Sequence, residues 1–311
     1  MFEVVDAAVA VILRDDGKVL LGQRPQGKSW AGWWEFPGGK IESGETPYHA
    51  LQREMHEELG IEAEQAWPWL TRIFSYPERT VRLHFFTVRS WHGTPYGKEL
   101  QALSWEDPRE VNVGPLLPAN APVLEALRLP PIYAITNLAE VGETAFLEAL
   151  ERALANGLRM IQVREKQLSA VELARFAELV VQRARPHGAS VMINGDVELA
   201  RALGATGVHL PSAMLMAATR KPEGMLCGAS CHNAAELAQA ALLALDYVLL
   251  APVQPTLTHP DAATLGWAGF AELSQGRPMP IYALGGMTAA DLPTAWQHGA
   301  HGIAMQRGAW V

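Results

Sequence analysis

Glu54, Glu57 and Glu58 fall at i, i+3 and i+4. On a helix that spacing sets three carboxylates on one face. Like charges so crowded repel each other unless hard cations such as Mg2+ or Mn2+, which prefer oxygen ligands, sit among them. Thr46 suits the N-cap of that helix, Pro47 its first position and Gly60 its C-terminal exit. A solvated acidic face is the usual reading of a glutamate cluster. It leaves unexplained the Phe36-Pro37-Gly38-Gly39 turn, Glu45 and Arg53, which stand at fixed spacing from the cluster.

Further along, Gly285-Gly286 precedes a helix start at Thr288, where backbone N–H groups can meet a phosphate. His232 has the right ordinary pKa for acid–base work near neutrality, although a hydrogen-bonded structural histidine at a strand end fits equally well. Cys231 and His232 are adjacent on an expected strand and point to opposite faces, which argues against a Cys/His pair. Trp30, Trp33 and Trp34 are read chiefly as core and rim packing, with base stacking as the alternative.

The 311 residues suggest two domains. With 49% hydrophobic and 19% charged residues, disordered, collagen-like and coiled-coil classes are excluded. The net charge of −8 opposes wrapping of a nucleic acid polymer, while a small phosphate ester can bind where a cation cancels its charge. Two cysteines, Cys227 and Cys231, make no disulfide framework. Met1 to Asp6 carry no basic n-region, so no signal peptide is expected. The most apolar stretch, 234–250, is broken by Glu236, Gln239 and Asp246 and is too short for a membrane span. A cytoplasmic protein is expected.

Up to about residue 130, short alternating segments (7–13, 19–23, 81–89) read as strands around one clear helix. The stretch 116–131, with Pro118, Pro122, Pro130 and Pro131, has linker composition around a short helix at 123–129. Beyond it, eight apolar strands are expected at 132–136, 160–165, 190–194, 207–210, 226–230, 247–251, 280–284 and 302–305. Amphipathic stretches such as 144–156, 170–185 and 233–245 separate them, the rhythm of a parallel (β/α)8 barrel, with an open doubly wound sheet as the alternative. Few residues follow the eighth strand, so a linker helix or another subunit is expected to cover that gap.

The pattern Gly39-x5-Glu45-x7-Arg53-Glu54-Met55-x-Glu57-Glu58-x-Gly60-Ile61 resembles the Nudix box in full. Four local matches make the region look most like the MutT branch of 8-oxo-dGTP diphosphatases: Glu35-Phe36-Pro37-Gly38-Gly39-Lys40, Tyr76-Pro77-Glu78-Arg79, Tyr96-Gly97-Lys98-Glu99 and Pro118-Ala119-Asn120-x-Pro122-Val123. The resemblance implies an α/β/α sandwich with a mixed sheet over 1–129. It also implies Mg2+-dependent conversion of 8-oxo-dGTP to 8-oxo-dGMP and pyrophosphate, a nucleotide-pool activity that averts mutation. Glu54, Glu57 and Glu58 would hold metal with Glu99 and the Gly38 carbonyl, and Arg53 and Glu45 would orient them. The general base stays open between Glu54, Glu57 and water activated by the metal alone. Asn120 would face the purine edge, Phe36 would line the base pocket, and Arg24 and Arg79 would contact the nucleotide. An Asx turn remains the plainer reading of Asn120, and surface placement that of the two arginines.

Residues 130–311 resemble the thiamin phosphate synthase superfamily through Tyr133-Ala134-Ile135-Thr136, Gln162-Val163-Arg164-Glu165-Lys166, Ile193-Asn194, Gly207-Val208-His209-Leu210 and Ala283-Leu284-Gly285-Gly286-Met287-Thr288. A (β/α)8 barrel is implied, with Arg164, Lys166, Asn194, Ser230, His232, Gly285 and Gly286 at its site. The two Mg2+-binding aspartates of active synthases are missing, replaced in Asn194-Gly195 and Leu210-Pro211-Ser212-Ala213-Met214, and His259 stands where a lysine is expected. These departures resemble the TenI branch, which implies thiazole tautomerisation without metal and His232 as its acid/base. A thiazole phosphate or thiamin phosphate is the implied ligand, bound for catalysis or sensing. The fusion suggests an alternative in which the Nudix site hydrolyses pyrophosphates of thiamin precursors.

Overall fold

The computed structural model describes residues 4–256 and 263–310. Two compact units emerge, Met1–Arg128 with Gln275–Pro278, and Leu129–Ser274 with Met279–Val311. In the first, strands β1 (Val4–Ile12), β6 (Thr80–His92), β5 (Glu62–Ser75) and β4 (Gly38–Lys40) form a mixed sheet in the order β4-β1-β6-β5. A three-stranded antiparallel sheet joins β3 (Trp34–Glu35), β2 (Val19–Gln23) and β7 (Leu103–Glu106). β1 runs parallel to β6 and antiparallel to β4.

β1 shows why this is a sandwich. Alternate side chains of a strand leave opposite faces. Ala8, Ala10 and Ile12 pack with Ala50 and Leu51 of helix α1 (Pro47–Glu54). Val9 and Val11 pack with Val123 and Leu124 of helix α2 (Ala121–Leu127). A strand covered on both sides has no polar face, as its sequence reports.

The linker reading of 116–131 is corrected here. Leu117, Ala119, Asn120, Val123, Leu124 and Ala126 are all buried, and α2 belongs to the core of the first unit. Pro118 opens a 3-10 turn and Pro122 lies in the first turn of α2, where a missing N–H costs no helical bond. Proline here starts helices instead of interrupting them.

The second unit is a closed parallel barrel of β8 (Ile132–Ile135), β9 (Met160–Val163), β10 (Ser190–Asn194), β11 (Gly207–Leu210), β12 (Leu226–Cys231), β13 (Tyr247–Leu250), β14 (Ile281–Leu284) and β15 (Gly302–Met305). All eight expected strands form, and closure removes the open-sheet alternative. Tyr133, Tyr247 and Tyr282 fill the interior, with ring centroids 5.5–5.8 Å apart. A Cβ on Gly228 would lie 2.1 Å from the Tyr247 ring, so the glycine makes room for the phenol. After β15 comes a single 3-10 turn, Arg307–Ala309. Trp310 then packs on Phe146 at 4.8 Å and donates to the Ile135 carbonyl at 2.9 Å.

Candidate active site

Helix α1 begins as the sequence predicts, with Thr46 Oγ1 accepting from the His49 N–H at 3.2 Å and Pro47 in the first turn. Its end differs. From Met55 to Leu59 the backbone forms a π turn, closed by Gly60 at φ 66°. A π turn advances fewer degrees per residue than an α turn. Glu54 and Glu58 therefore line one cavity, of about 330 Å³, while Glu57 is 57% exposed and accepts from Arg53 at 3.1 Å. The single acidic face expected from i, i+3, i+4 spacing is thus split.

Arg53 holds this arrangement. Its Nε and Nη2 donate to the two oxygens of Glu45 at 2.8 and 3.0 Å, its Nη1 to Glu54 at 2.7 Å, and its Nη2 also to the Lys40 carbonyl at 3.0 Å. The forked guanidinium can serve all of these acceptors at once. Hydrogen bonding to Arg53 pulls the Glu45 carboxyl down to about 2. Gly38 and Gly39 are required by close approach: a Cβ on Gly38 would lie 2.2 Å from the Ala8 carbonyl oxygen, and one on Gly39 2.1 Å from Glu54 Oε1. The Gly38 N–H donates to Glu58 at 3.2 Å.

Burial raises the pKa of Glu58 to about 7, helped by the neighbouring Glu54 charge, and burial also raises Glu54. A third carboxyl that the sequence reading missed, Glu35, is likewise raised by burial and is ion-paired with Arg24. Its signal was its place directly before Phe36-Pro37-Gly38-Gly39. Oxygen donors crowded into a partly dry cavity fit a hard divalent cation. Among the described residues, however, no three carboxylate, imidazole or thiol groups converge closely enough to hold one. Glu57 is engaged by Arg53, and Glu99 by Lys28, a second residue not singled out from the sequence.

Phe36, Arg24, Arg79 and Asn120 all line the same cavity. Phe36 is buried edge-on to Phe85 at 6.4 Å. Asn120 is 4% exposed, its side chain makes no capping bond to α2, and its Nδ2 donates to the Trp34 carbonyl at 3.4 Å. The Asx-turn reading therefore fails. Of the tryptophans, Trp34 is core as expected, whereas Trp30 lines the cavity between Trp33 and Tyr76, at 4.8 and 5.8 Å.

In the barrel, every expected site residue lies at or just beyond the C-terminal end of a strand, the functional end of this architecture. Ser230 Oγ is 2.9 Å from His209 Nε2, and His209 Nδ1 is 3.5 Å from the Tyr247 hydroxyl. Tyr247 meets Tyr133 at 3.0 Å, and Gln162 Nε2 donates to Tyr133 at 3.1 Å. Burial pushes His209 down to about 3, so the imidazole is neutral. Neither His209 nor this chain of partners was assigned a role from the sequence. His232 is exposed, and its Nδ1 donates to the Ala251 carbonyl at 2.9 Å, which leaves Nε2 as the basic nitrogen. Gly195, at φ 74°, has Met214 Sδ and Pro211 carbons 3.6 Å from where its Cβ would be.

Arg164 and Asn194 are half-buried, Lys166 is exposed, and Gly285 and Gly286 are held at φ 110° and 69° against the 252–255 segment. The helix start after them is corrected: Thr288 caps a 3-10 turn, Ala289–Asp291, and its N–H already donates to Asp291 at 2.8 Å. His259 lies outside the described residues.

A sandwich with a carboxylate-lined cavity, followed by a (β/α)8 barrel, defines a two-domain α/β enzyme. The chain belongs to two families: residues 4–127 match the NUDIX domain, and residues 132–309 match TMP-TENI, thiamine monophosphate synthase. The first half is 46% identical over 118 residues to CTP pyrophosphohydrolase of Escherichia coli, covering 38% of this chain and 87% of that protein. It is also 37% identical over 125 residues to 8-oxo-dGTP diphosphatase of Haemophilus influenzae, covering 40% and 92%. The second half is 34% identical over 179 residues to thiamine-phosphate synthase of Azorhizobium caulinodans, covering 56% and 84%. The protein is a hydrolase acting on phosphorus anhydrides. No described helix is long and apolar enough to cross a membrane.

Proposed function

We propose that the Nudix half converts 8-oxo-dGTP to 8-oxo-dGMP and pyrophosphate, a reaction that removes a mutagenic nucleotide in the cytoplasm. The observation that carries this reading is the buried Asn120 amide on the cavity wall. One Nδ2 hydrogen is directed to the Trp34 carbonyl, which leaves Oδ1 and the second N–H for a ligand. Oxidation at C8 turns purine N7 into an N–H donor beside the O6 acceptor, and an amide pairs with both. With unoxidised dGTP, N7 and Oδ1 are both acceptors, and an unpaired buried polar group costs about 1–3 kcal/mol.

Glu54 and Glu58 would hold a divalent cation, with Glu57 and Glu99 as further donors and Mg2+ as the expected ion. When bound, the cation draws charge from the polyphosphate and makes water near phosphorus more acidic. Arg53 positions Glu54, Glu45 anchors Arg53, and Arg24 and Arg79 face the nucleotide. Phe36 and Trp30 supply the apolar walls of the base pocket.

The similarity to a CTP pyrophosphohydrolase favours a second reading, a pyrimidine nucleotide in the same cavity. Side-by-side kcat/KM values with Mg2+ for 8-oxo-dGTP, dGTP, CTP and hydroxymethylpyrimidine pyrophosphate separate the candidates. A preference of about a hundredfold for 8-oxo-dGTP over dGTP, equivalent to about 2.7 kcal/mol, is the expected result. Preference for CTP or for the pyrimidine pyrophosphate overturns the Asn120 reading, and the latter would join both halves to thiamin chemistry.

For the barrel we propose a TenI-like role on a thiazole phosphate or thiamin phosphate, without synthase activity. The lack of a carboxylate in Asn194-Gly195 and in Leu210-Pro211-Ser212-Ala213-Met214 supports the loss of metal-assisted pyrophosphate expulsion, and the His232 tautomer supports a proton transfer at Nε2. Calorimetry with thiazole phosphate tests this, binding being expected. Absence of binding would leave the barrel a structural partner, and binding without His232-dependent tautomer turnover would leave it a sensor.

A further inference from the structure

In the Nudix half three of the four carboxylates expected to hold metal, Glu54, Glu57 and Glu99, are ion-paired to side chains of the chain itself. The Arg53 partner of Glu54 and Glu57 belongs to the box. Lys28 does not: it comes from the loop between β2 and β3 and meets Glu99 in the loop between β6 and β7, 71 residues away in sequence. Both residues line the cavity that contains Glu54 and Glu58. The Lys28 charge also acts on Glu35, Glu54 and Glu58, lowering each of them against the effect of burial. One ammonium thus offsets a group of carboxylates at the place where a divalent cation would do so.

We propose that Lys28 is an internal countercharge that exchanges roles: it holds Glu99 while the cavity lacks a divalent cation, and it passes to the substrate's polyphosphate when the cation takes Glu99. This rests on the reading of Glu54, Glu58 and Glu99 as metal donors. The physical case has three parts. Lys28 and Glu99 are 47% and 41% exposed, and an ion pair so open to water is weakly held and readily exchanged. An ammonium on a four-carbon stem can swing between partners, which the forked, multiply bonded Arg53 cannot do without breaking several bonds. A polyphosphate adds several negative charges to the cavity, and a released ammonium at its rim is a strong donor for them. Arg24, by contrast, is committed to Glu35 and to the Ser29 carbonyl at 2.7 Å.

The test is Mn2+ binding to the full chain without nucleotide, followed by electron paramagnetic resonance, together with steady-state hydrolysis. Removing the competitor in Lys28→Gln should tighten Mn2+ binding about three- to fivefold, the scale of an exposed ion pair. The same variant should raise KM about tenfold, as expected for loss of one charged phosphate contact, with kcat within about twofold. Lys28→Arg should restore much of the KM. In Lys28→Gln/Glu99→Gln the tightening should vanish relative to Glu99→Gln alone. Unchanged or weaker Mn2+ binding in Lys28→Gln, or an unchanged KM, overturns the exchange. Glu54→Gln is the control: if it binds Mn2+ as the unaltered protein does, the metal-donor reading falls instead, whatever Lys28 does.

Discussion

The two halves of the chain bury ionisable groups in opposite ways. In the Nudix cavity Glu35, Glu54 and Glu58 sit close together, with carboxyls pushed upward by burial, and Arg24, Lys28 and Arg53 stand around them. Inside the barrel runs a chain of neutral polar groups, Gln162, Tyr133, Tyr247, His209 and Ser230, each meeting the next. Crowded like charges are unstable alone and are tolerated where a ligand completes them. A closed neutral chain needs no ion. The difference teaches why a cation suits the crowded carboxylates of the Nudix cavity and is not called for by this neutral chain of the barrel.

The largest effect should come from Glu58→Gln, which should lower kcat by about a thousandfold or more, the scale of losing transition-state charge stabilisation. Pyrophosphate release checks this, with circular dichroism confirming an intact fold. Glu57→Gln should lose less, because its carboxylate lies out on Arg53. Equal losses would mean that a bound cation pulls Glu57 inward and that the split acidic face belongs to the metal-free protein. Gly39→Ala should follow, at about a hundredfold in kcat, because its methyl group would overlap Glu54. Full activity in that variant would show that Glu54 need not lie there.

Asn120→Ala should lower kcat/KM for 8-oxo-dGTP by about ten- to a hundredfold and narrow its advantage over dGTP, one or two hydrogen bonds being at stake. An undiminished preference would shift base recognition to other residues. On the barrel side, Tyr247→Phe should destabilise by about 1–3 kcal/mol, since Tyr133 and His209 lose a partner. Hydrogen exchange of the β11 amides would register it.

The remaining prediction is a pH trend of the barrel. His209 titrates at about 3 in the folded protein, against an ordinary value of 6.5. Between those values the unfolded chain binds the extra proton, so the contribution of His209 to stability is complete above 6.5 and is lost as pH falls toward 3. Protection of the β11 amides, corrected for intrinsic exchange, should decline over that window, and His209→Gln should flatten the decline. An unaltered slope would assign the acid sensitivity to other groups.

Much of this was legible without coordinates because it rests on local pattern. Apolar runs at regular spacing mark the eight barrel strands, and Thr46, Pro47 and Gly60 mark a helix through groups that act within one turn of it. The carboxylate spacing was legible too, but its consequence was not. Whether Glu57 joins Glu54 and Glu58 depends on a π turn, and a π turn is selected by packing rather than by residue type. Likewise Pro118 and Pro122 look the same in a linker as in a helix start, until burial of Leu117 and Val123 distinguishes them.

By itself the sequence determined two family folds and the kinds of group that each site contains, since periodicity and motif spacing depend on near neighbours along the chain. Only the tertiary structure decided the partners. Glu35 with Arg24, Lys28 with Glu99 and Ser230 with His209 are pairs separated by 11 to 71 residues. Coulombic attraction and desolvation act through distance in space, and no pattern along the chain encodes that distance.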